Sequence, residues 1–393
     1  MSRETYIVDA VRTPTGRYAG ALAGVRPDDL AARVVGGLVE RSPALDPKRI
    51  DDVFFGNANG AGEENRDVAR MAVLLAGLPT RVPGATVNRL CGSGMEAAVG
   101  ANRAIAVGDA SICIAGGVES MSRAPWVVMK PDKGYARTDQ TLVSTTLGWR
   151  LVNPEMPEGW TVSLGEGAEI LADRYEISRQ AQDEFALRSH ESAAAAWDRG
   201  AYAEETVALP GVELERDEPI RPDSSLEKLA ALRPAFRPDG TVTAGNASPL
   251  NDGAAALLLA GEDAVEVTGR EPLARIVSRG LHAVDPPLYG IAPVEAANRA
   301  LERAGIGWGD LELVELNEAF AAQALACLSQ WPELDPEIVN VNGGAVALGH
   351  PIGRSGARIL ATLVSELARR GGGYGLAALC IGVGQGIAMV VEA

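Results

Sequence analysis

Cysteine and histidine are scarce in this chain, which has four of the first and three of the second in 393 residues. Cys91, Cys113, Cys327 and Cys380 lie far apart, with no Cys-x-x-Cys pair. Their spacing excludes a zinc ribbon or finger and a disulfide framework, so no metal is expected, and it fits a reducing compartment. No apolar run approaches the roughly 20 residues of a membrane span. Positive charge is also short: Lys+Arg 36 against Asp+Glu 52 gives a net charge of −16. An acidic chain is a poor nucleic-acid binder because phosphate contacts need a basic surface, and any anionic ligand must meet a local basic patch. Met1 to Thr5 run straight into a strand-like segment and Val391-Glu392-Ala393 carries no address signal. The expectation is therefore a cytoplasmic protein, with no membrane partner.

Apolar residues at 47% with 22% charged describe a globular protein, and the length suggests two or three domains. Short apolar runs alternate with helical spacings. Tyr6 to Val11, Val53 to Phe55, Ala85 to Val87 and Ser111 to Ala115 read as strands, the last ended by Gly116-Gly117. Helices start at Pro27 and Val68 and run from Met95 to Val107. Such alternation implies a mostly parallel sheet covered by helices. From about Met121 to Ala244 prolines, tryptophans and charges replace the strand signal, and the clearest element is a helix over Ser178 to Asp198. Ala254 to Ala260 resumes a sheet-like run. Strands at Leu273 to Val277, Leu311 to Leu316, Ile338 to Val341, Leu376 to Ile381 and Ile387 to Val391 then alternate with helices at Pro293 to Ala304, Ala319 to Leu328 and Arg354 to Arg369. Both halves read β-α-β-α-β-α-β-β around an insertion.

The turn after the third strand of the first half is Asn88-Arg89-Leu90-Cys91-Gly92-Ser93-Gly94. It sets a thiol at a helix N-terminus, where the helix dipole favours thiolate and so a nucleophile at neutral pH. A lone cysteine is more often a small buried hydrophobe, and this stretch alone leaves both readings open. Its counterpart in the second half holds His350, flanked by Gly349, Pro351 and Gly353. Two related halves would bring thiol and imidazole to one cleft, where the imidazole can take the thiol proton and, as a cation, stabilise the thiolate. His190, on a charged helix, and His282, in a Pro-rich loop, read as polar surface. Cys380 reads as core packing of a strand end or as a site residue beside Gly382. Asn317 ends a strand, where parallel sheets place ligand sites, or caps the next helix.

Asn88 to Gly94, Asn317-Glu318-Ala319-Phe320, Gly349-His350-Pro351-Ile352-Gly353 and Cys380-Ile381-Gly382, in this order, resemble the thiolase family, as do Gly245-Asn246-Ala247-Ser248 and Asn251-Asp252-Gly253. The resemblance implies an α/β fold of five αβαβα layers, with two similar halves and an inserted loop domain. The halves would be residues 1–120 with 245–270 and residues 271–393, and the insertion residues 121–244. It implies that Cys91 takes the acyl group from a 3-ketoacyl thioester, activated by His350. The backbone N–H groups of Cys91 and Gly382 would form one oxyanion hole, and His350 with a water on Asn317 the other. Cys380 would be the general acid/base. Coenzyme A would be a co-substrate with no permanently bound cofactor, held by Ser248, Arg221, Lys228, Ala244, Ala319 and Leu164, with Arg233 adding positive charge or, like Lys228, lying on a solvated face. The resemblance also implies a homodimer or homotetramer.

Thr145 to Pro154 is similar to the corresponding stretch of 3-oxoadipyl-CoA thiolases, and Arg150 within it is a candidate for meeting a distal carboxylate. Members that form acetoacetyl-CoA carry His-Met where this chain reads Ser163-Leu164, which argues against the short-chain biosynthetic reading. A decarboxylating ketoacyl synthase, related in fold, would use a cysteine with two histidines or with a histidine and an asparagine, whereas here a second cysteine replaces one partner. A homologue that binds acyl-CoA without turnover, or a redox pair of Cys91 and Cys380, are the remaining readings.

Overall fold

A computed structural model describes residues 3–393. The strands are β1 (Thr5–Arg12), β2 (Gly16–Arg17), β3 (Asp52–Gly56), β4 (Ala85–Val87), β5 (Ile112–Ser120), β6 (Trp126–Val127), β7 (Val143–Ser144), β8 (Asn251–Gly261), β9 (Ala274–Ala283), β10 (Leu311–Leu316), β11 (Tyr374–Ile381) and β12 (Gln385–Glu392). The helices are α1 (Pro27–Arg41), α2 (Val68–Leu75), α3 (Ser93–Val107), α4 (Leu164–Arg174), α5 (Arg179–Asp198), α6 (Leu226–Ala230), α7 (Ala292–Ala304), α8 (Ala321–Ser329), α9 (Ala345–Leu348) and α10 (Ile352–Arg370). None of the helices among the described residues is long and apolar enough to cross a membrane.

Strand order gives the halves their likeness. The first runs β4-β3-β5-β8-β1 and the second β10-β11-β12-β9, with a single parallel bridge from Val314 to Val339 on the outer side of β10. In each half the penultimate neighbour, β8 or β12, runs antiparallel to the strands beside it. The half-sheets touch at one corner, where Tyr6 and Ile7 pair with Arg275 and Ala274. Between them lie α3 and α10, whose Met95, Ala98, Ile359 and Leu363 share one core with Ile7, Leu257, Leu379 and Met389. Outside the first sheet, α1 and α2 cover a second core, and outside the second sheet α7 and α8 cover a third. The result is five layers, helix, sheet, helix pair, sheet, helix.

Local chemistry explains the elements. Pro27 at the first helical position, Asp28 and Asp29 in the first turn and Arg41 in the last match the ends of α1 to its dipole. Ser163 and Ser178 cap α4 and α5 by accepting the N–H of Glu166 and Ala181. All eleven residues of β8 are buried, which is why it reads as a continuous apolar run.

Five expectations are corrected. The sheet is mixed and not mostly parallel, because β8 and β12 run antiparallel to the strands on both sides of them. Gly116-Gly117 does not end the strand, which continues to Ser120. A Cβ on Gly117 would lie 2.1 Å from the Gly353 carbonyl oxygen, so the glycine serves close packing inside β5. Ile338 to Val341 forms one bridge and no strand. Asn340 sits at φ 49°, and its side-chain amide pairs with both the N–H and the carbonyl of Leu316, replacing the backbone ladder. His282 belongs to β9, opposite Gly386. His190 is also not surface: it is buried in α5 and its Nδ1 accepts the N–H of Arg221.

Candidate active site

The turn before α3 is held by its own side chains. Asn88 Oδ1 accepts the N–H of Leu90 at 2.9 Å, and Ser93 Oγ accepts the N–H of Arg89 at 2.8 Å while donating to the Leu90 carbonyl. Leu90 is thereby fixed at φ 46°, and Val383, across the site, at φ 65°. Such conformations in non-glycine residues cost about 1–3 kcal/mol each and persist only where the surroundings impose them. Between them lies Cys91, 8% exposed, with the backbone N–H groups of Gly382 and of Cys91 itself directed at its sulfur.

His350 enters from the other half. Asn251 Oδ1 accepts its backbone N–H at 2.9 Å, and Asn251 Nδ2 donates to the Gly16 carbonyl. Its Nδ1 lies 2.6 Å from Ser355 Oγ, which donates to the Pro351 carbonyl at 2.8 Å. A hydroxyl has one proton to give, so Ser355 accepts from Nδ1–H and leaves the lone pair on Nε2. That Nε2 is buried without a protein partner.

What joins the two residues is the approach of α3 and α10. A Cβ on Gly356 would sit 2.4 Å from the backbone nitrogen of Met95, and one on Gly94 would sit 2.7 Å from that of Ala357. Glycine at both points lets the helix starts meet, with Cys91 ahead of one and His350 ahead of the other.

Two cavities meet at Cys91. One, of about 440 Å³, is lined by Cys91, His350, Cys380, Ser248, Leu164, Ala319, Phe236 and Tyr289 among others. The second, of about 370 Å³, is lined by Cys91, Gly382, Leu90, Val383, Glu119, Asn59, Thr145 and Arg150 among others. Cys380 is the last but one residue of β11, at 1% exposure. Asn317 follows β10, fully buried, with both side-chain amide atoms free of protein partners, and its neighbour Glu318 accepts from Ser189, Asn340 and the Val346 N–H. The residues between β5 and β8 supply the remaining walls, including Leu147, Trp149, Leu164 and Phe236.

Three of the residues expected at coenzyme A line neither cavity. Lys228 pairs with Asp223 on the surface, and Arg221 and Ala244 are exposed. Sequence reasoning missed Tyr289, whose hydroxyl donates to the Leu164 carbonyl at 2.9 Å, and Glu119, which accepts the N–H groups of Ala58, Asn59 and Gly353. Phe236 was also missed. None of the three carried a signal in the sequence, where the strand before Glu119 reads as ending at Gly116-Gly117.

Electrostatics correct the expectation of a resting thiolate. Burial pushes the Cys91 thiol up to about 11, outweighing the two amides aimed at it. Burial, helped by the Arg358 and Arg354 guanidiniums, pushes His350 down to about 4. At pH 7 the site therefore holds a neutral thiol and a neutral imidazole with an open Nε2. Burial also drives Cys380 well above the usual thiol range and Glu119 up to about 7.

A buried thiol, an imidazole with its lone pair free, a second protonated thiol and backbone amides at a sulfur are the equipment of acyl transfer through a thioester. The chain belongs to the thiolase family, a family of acyltransferases: the thiolase N-terminal domain model matches residues 5–263 and the thiolase C-terminal domain model residues 270–393. Among individual relatives it is 52% identical to the beta-ketoadipyl-CoA thiolase of Pseudomonas putida, over 99% of each chain. It is also 52% identical to the 3-oxoadipyl-CoA/3-oxo-5,6-dehydrosuberyl-CoA thiolase of Escherichia coli K12, again over 99% of each. The human mitochondrial 3-ketoacyl-CoA thiolase in complex with CoA has the same fold, with a TM-score of 0.93 and 40% identity over 100% of this chain and 98% of that one.

Proposed function

We propose that the enzyme cleaves a dicarboxylic 3-ketoacyl-CoA, 3-oxoadipyl-CoA, with coenzyme A, giving acetyl-CoA and succinyl-CoA. The observation that carries the reading is the junction of two cavities at Cys91, with His350 and Cys380 in only one of them. The names of the 52%-identical relatives support the substrate.

His350 Nε2 takes the Cys91 proton as sulfur adds to the 3-keto carbon, and the N–H groups of Cys91 and Gly382 hold the oxyanion. The bond between C2 and C3 breaks, leaving a succinyl thioester on Cys91 and the enolate of acetyl-CoA. Protonated His350 and a water held by the Asn317 amide stabilise the enolate oxygen, and Cys380 delivers its proton to C2. Coenzyme A then enters and gives its thiol proton to Cys380. Its sulfur takes the succinyl group, and Cys91 recovers its proton from His350. The pantetheine arm lies in the cavity bordered by Ser248, Ala319 and Leu164. Residues 121–244 act as a loop domain over the two halves, 1–120 with 245–270 and 271–393. The reading carries with it a homodimer or homotetramer in the cytoplasm, with coenzyme A as a diffusing co-substrate.

The test is CoA-dependent cleavage of acetoacetyl-CoA, straight medium-chain 3-ketoacyl-CoAs and 3-oxoadipyl-CoA by the wild type and by Cys91→Ala. Preferred cleavage of 3-oxoadipyl-CoA, abolished in the variant, is expected. Binding of acyl-CoA without cleavage of any member would overturn the reading.

A further inference from the structure

The cavity on the far side of Cys91 contains a guanidinium that no carboxylate of the described chain answers. Arg150 lies in the loop between β7 and α4 and makes two long contacts to neutral oxygens: Nη1 to the Thr145 carbonyl and Nη2 to Asn59 Oδ1, both at 3.4 Å. Glu119, which lines the same cavity, faces away from it chemically. Its oxygens accept the N–H groups of Ala58, Asn59 and Gly353 and the Asn57 amide.

The platform under Arg150 is rigid. Asn59 Nδ2 donates to the Thr145 carbonyl at 3.1 Å and to its hydroxyl oxygen at 2.9 Å, and that hydroxyl donates to the Pro125 carbonyl at 2.6 Å. Asn59 and Thr145 are both buried. A fixed amide and carbonyl thus hold one side of a guanidinium whose remaining N–H groups are free.

We propose that Arg150 reads the terminal carboxylate of the acyl chain, with Asn59 and Thr145 as the residues that position it. The inference rests on the thiolytic reading above and deepens it. The acid/base groups His350 and Cys380 act at C2, so the thioester end occupies the cavity they line, and the acyl remainder has only the cavity of Arg150 to enter. In a succinyl group two methylenes separate the carbonyl on sulfur from the carboxylate. Leu90, Leu147 and Trp149 offer apolar walls to the methylenes. The guanidinium fork matches a carboxylate in two parallel hydrogen bonds. Arg150 is itself exposed at the mouth of the cavity, so a neutral chain of equal length forgoes the charge-assisted pair and binds less tightly.

The experiment compares 3-oxoadipyl-CoA with 3-oxohexanoyl-CoA, its equal in length without the carboxylate, in the wild type, Arg150→Met and Arg150→Lys. The readout is the ratio of kcat/KM for the two substrates. The expected result is a ratio about 10- to 100-fold lower in Arg150→Met, as for loss of one charge-assisted pair, carried mainly by KM and partly restored in Arg150→Lys. Equal losses on both substrates, or an unchanged ratio, would overturn the role of Arg150 while leaving thiolytic cleavage intact. A wild type that cleaves only 3-oxohexanoyl-CoA would overturn it together with the dicarboxylic substrate. A wild type that cleaves neither would remove the proposed function itself.

Discussion

With the thiol pushed up to about 11 and the imidazole down to about 4, neither Cys91 nor His350 is charged at rest. On the proposed mechanism the proton moves as an electrophile meets the sulfur. A preformed thiolate would be open to every oxidant and alkylating agent that reached the cavity, whereas a thiol activated on demand is not. Inactivation by iodoacetamide, followed against pH, is therefore expected to be slow at pH 7 and to climb by about tenfold per pH unit through pH 9. A rate that levels off below pH 8 would mean that the amides of Cys91 and Gly382 outweigh burial. Sequence reasoning at this scale named the thiol and the imidazole from their glycine-flanked turns, and it erred on their charge. A helix N-terminus is visible in a sequence, but the depth at which it is buried is not.

Among the elements, α3 and α10 decide whether there is a site at all, because their glycine contact sets the spacing of the two reactive residues. Gly356→Ala places a methyl group against the backbone of Met95. The expected outcome is a loss of about 1–3 kcal/mol of stability, with a fall in kcat of at least about tenfold at a temperature where the variant is still folded. Calorimetry and steady-state kinetics on one sample check both. A stability loss with kcat intact would show that the helix pair carries packing alone. The strands and helices of both halves were legible because hydrophobic period and end signals are local. The bridge at Val339 was not, because a side chain, Asn340, supplies hydrogen bonds that a sequence pattern assigns to backbone. Phe236 and Tyr289 reach the cavity from segments far from any motif, and no local pattern marks them.

At the scale of the whole molecule, buried histidines set the acid limit of the fold. Burial holds His190 and His350 at about 4, against an ordinary value of 6.5. As pH falls, the unfolded chain takes up those protons first. This part of the stability is whole above pH 6.5 and is lost as pH falls toward 4, by about 3 kcal/mol for each histidine. Glu119 and Glu315, raised by burial to about 7 and about 8, act with the opposite sign and weaken the fold as pH rises from about 4.5 through those values. His190→Asn keeps an acceptor for the Arg221 N–H and removes the titration. Between pH 7 and pH 5 its Tm is expected to fall by about 2 °C less than that of the wild type. Equal falls would show that His190 is not among the groups that take up protons on unfolding.

The meeting of the two helices also has a consequence for the order in which the chain is made. Cys91 leaves the ribosome well before His350, Cys380 and the amide of Gly382. On the proposed roles, a nascent first half carries the nucleophile with neither its base nor its second oxyanion donor, and strands β9 to β12 must dock before the site is complete. In the proposed mechanism, turnover of acyl-CoA therefore waits on the docking of the second half against the first, and not on the folding of either half alone.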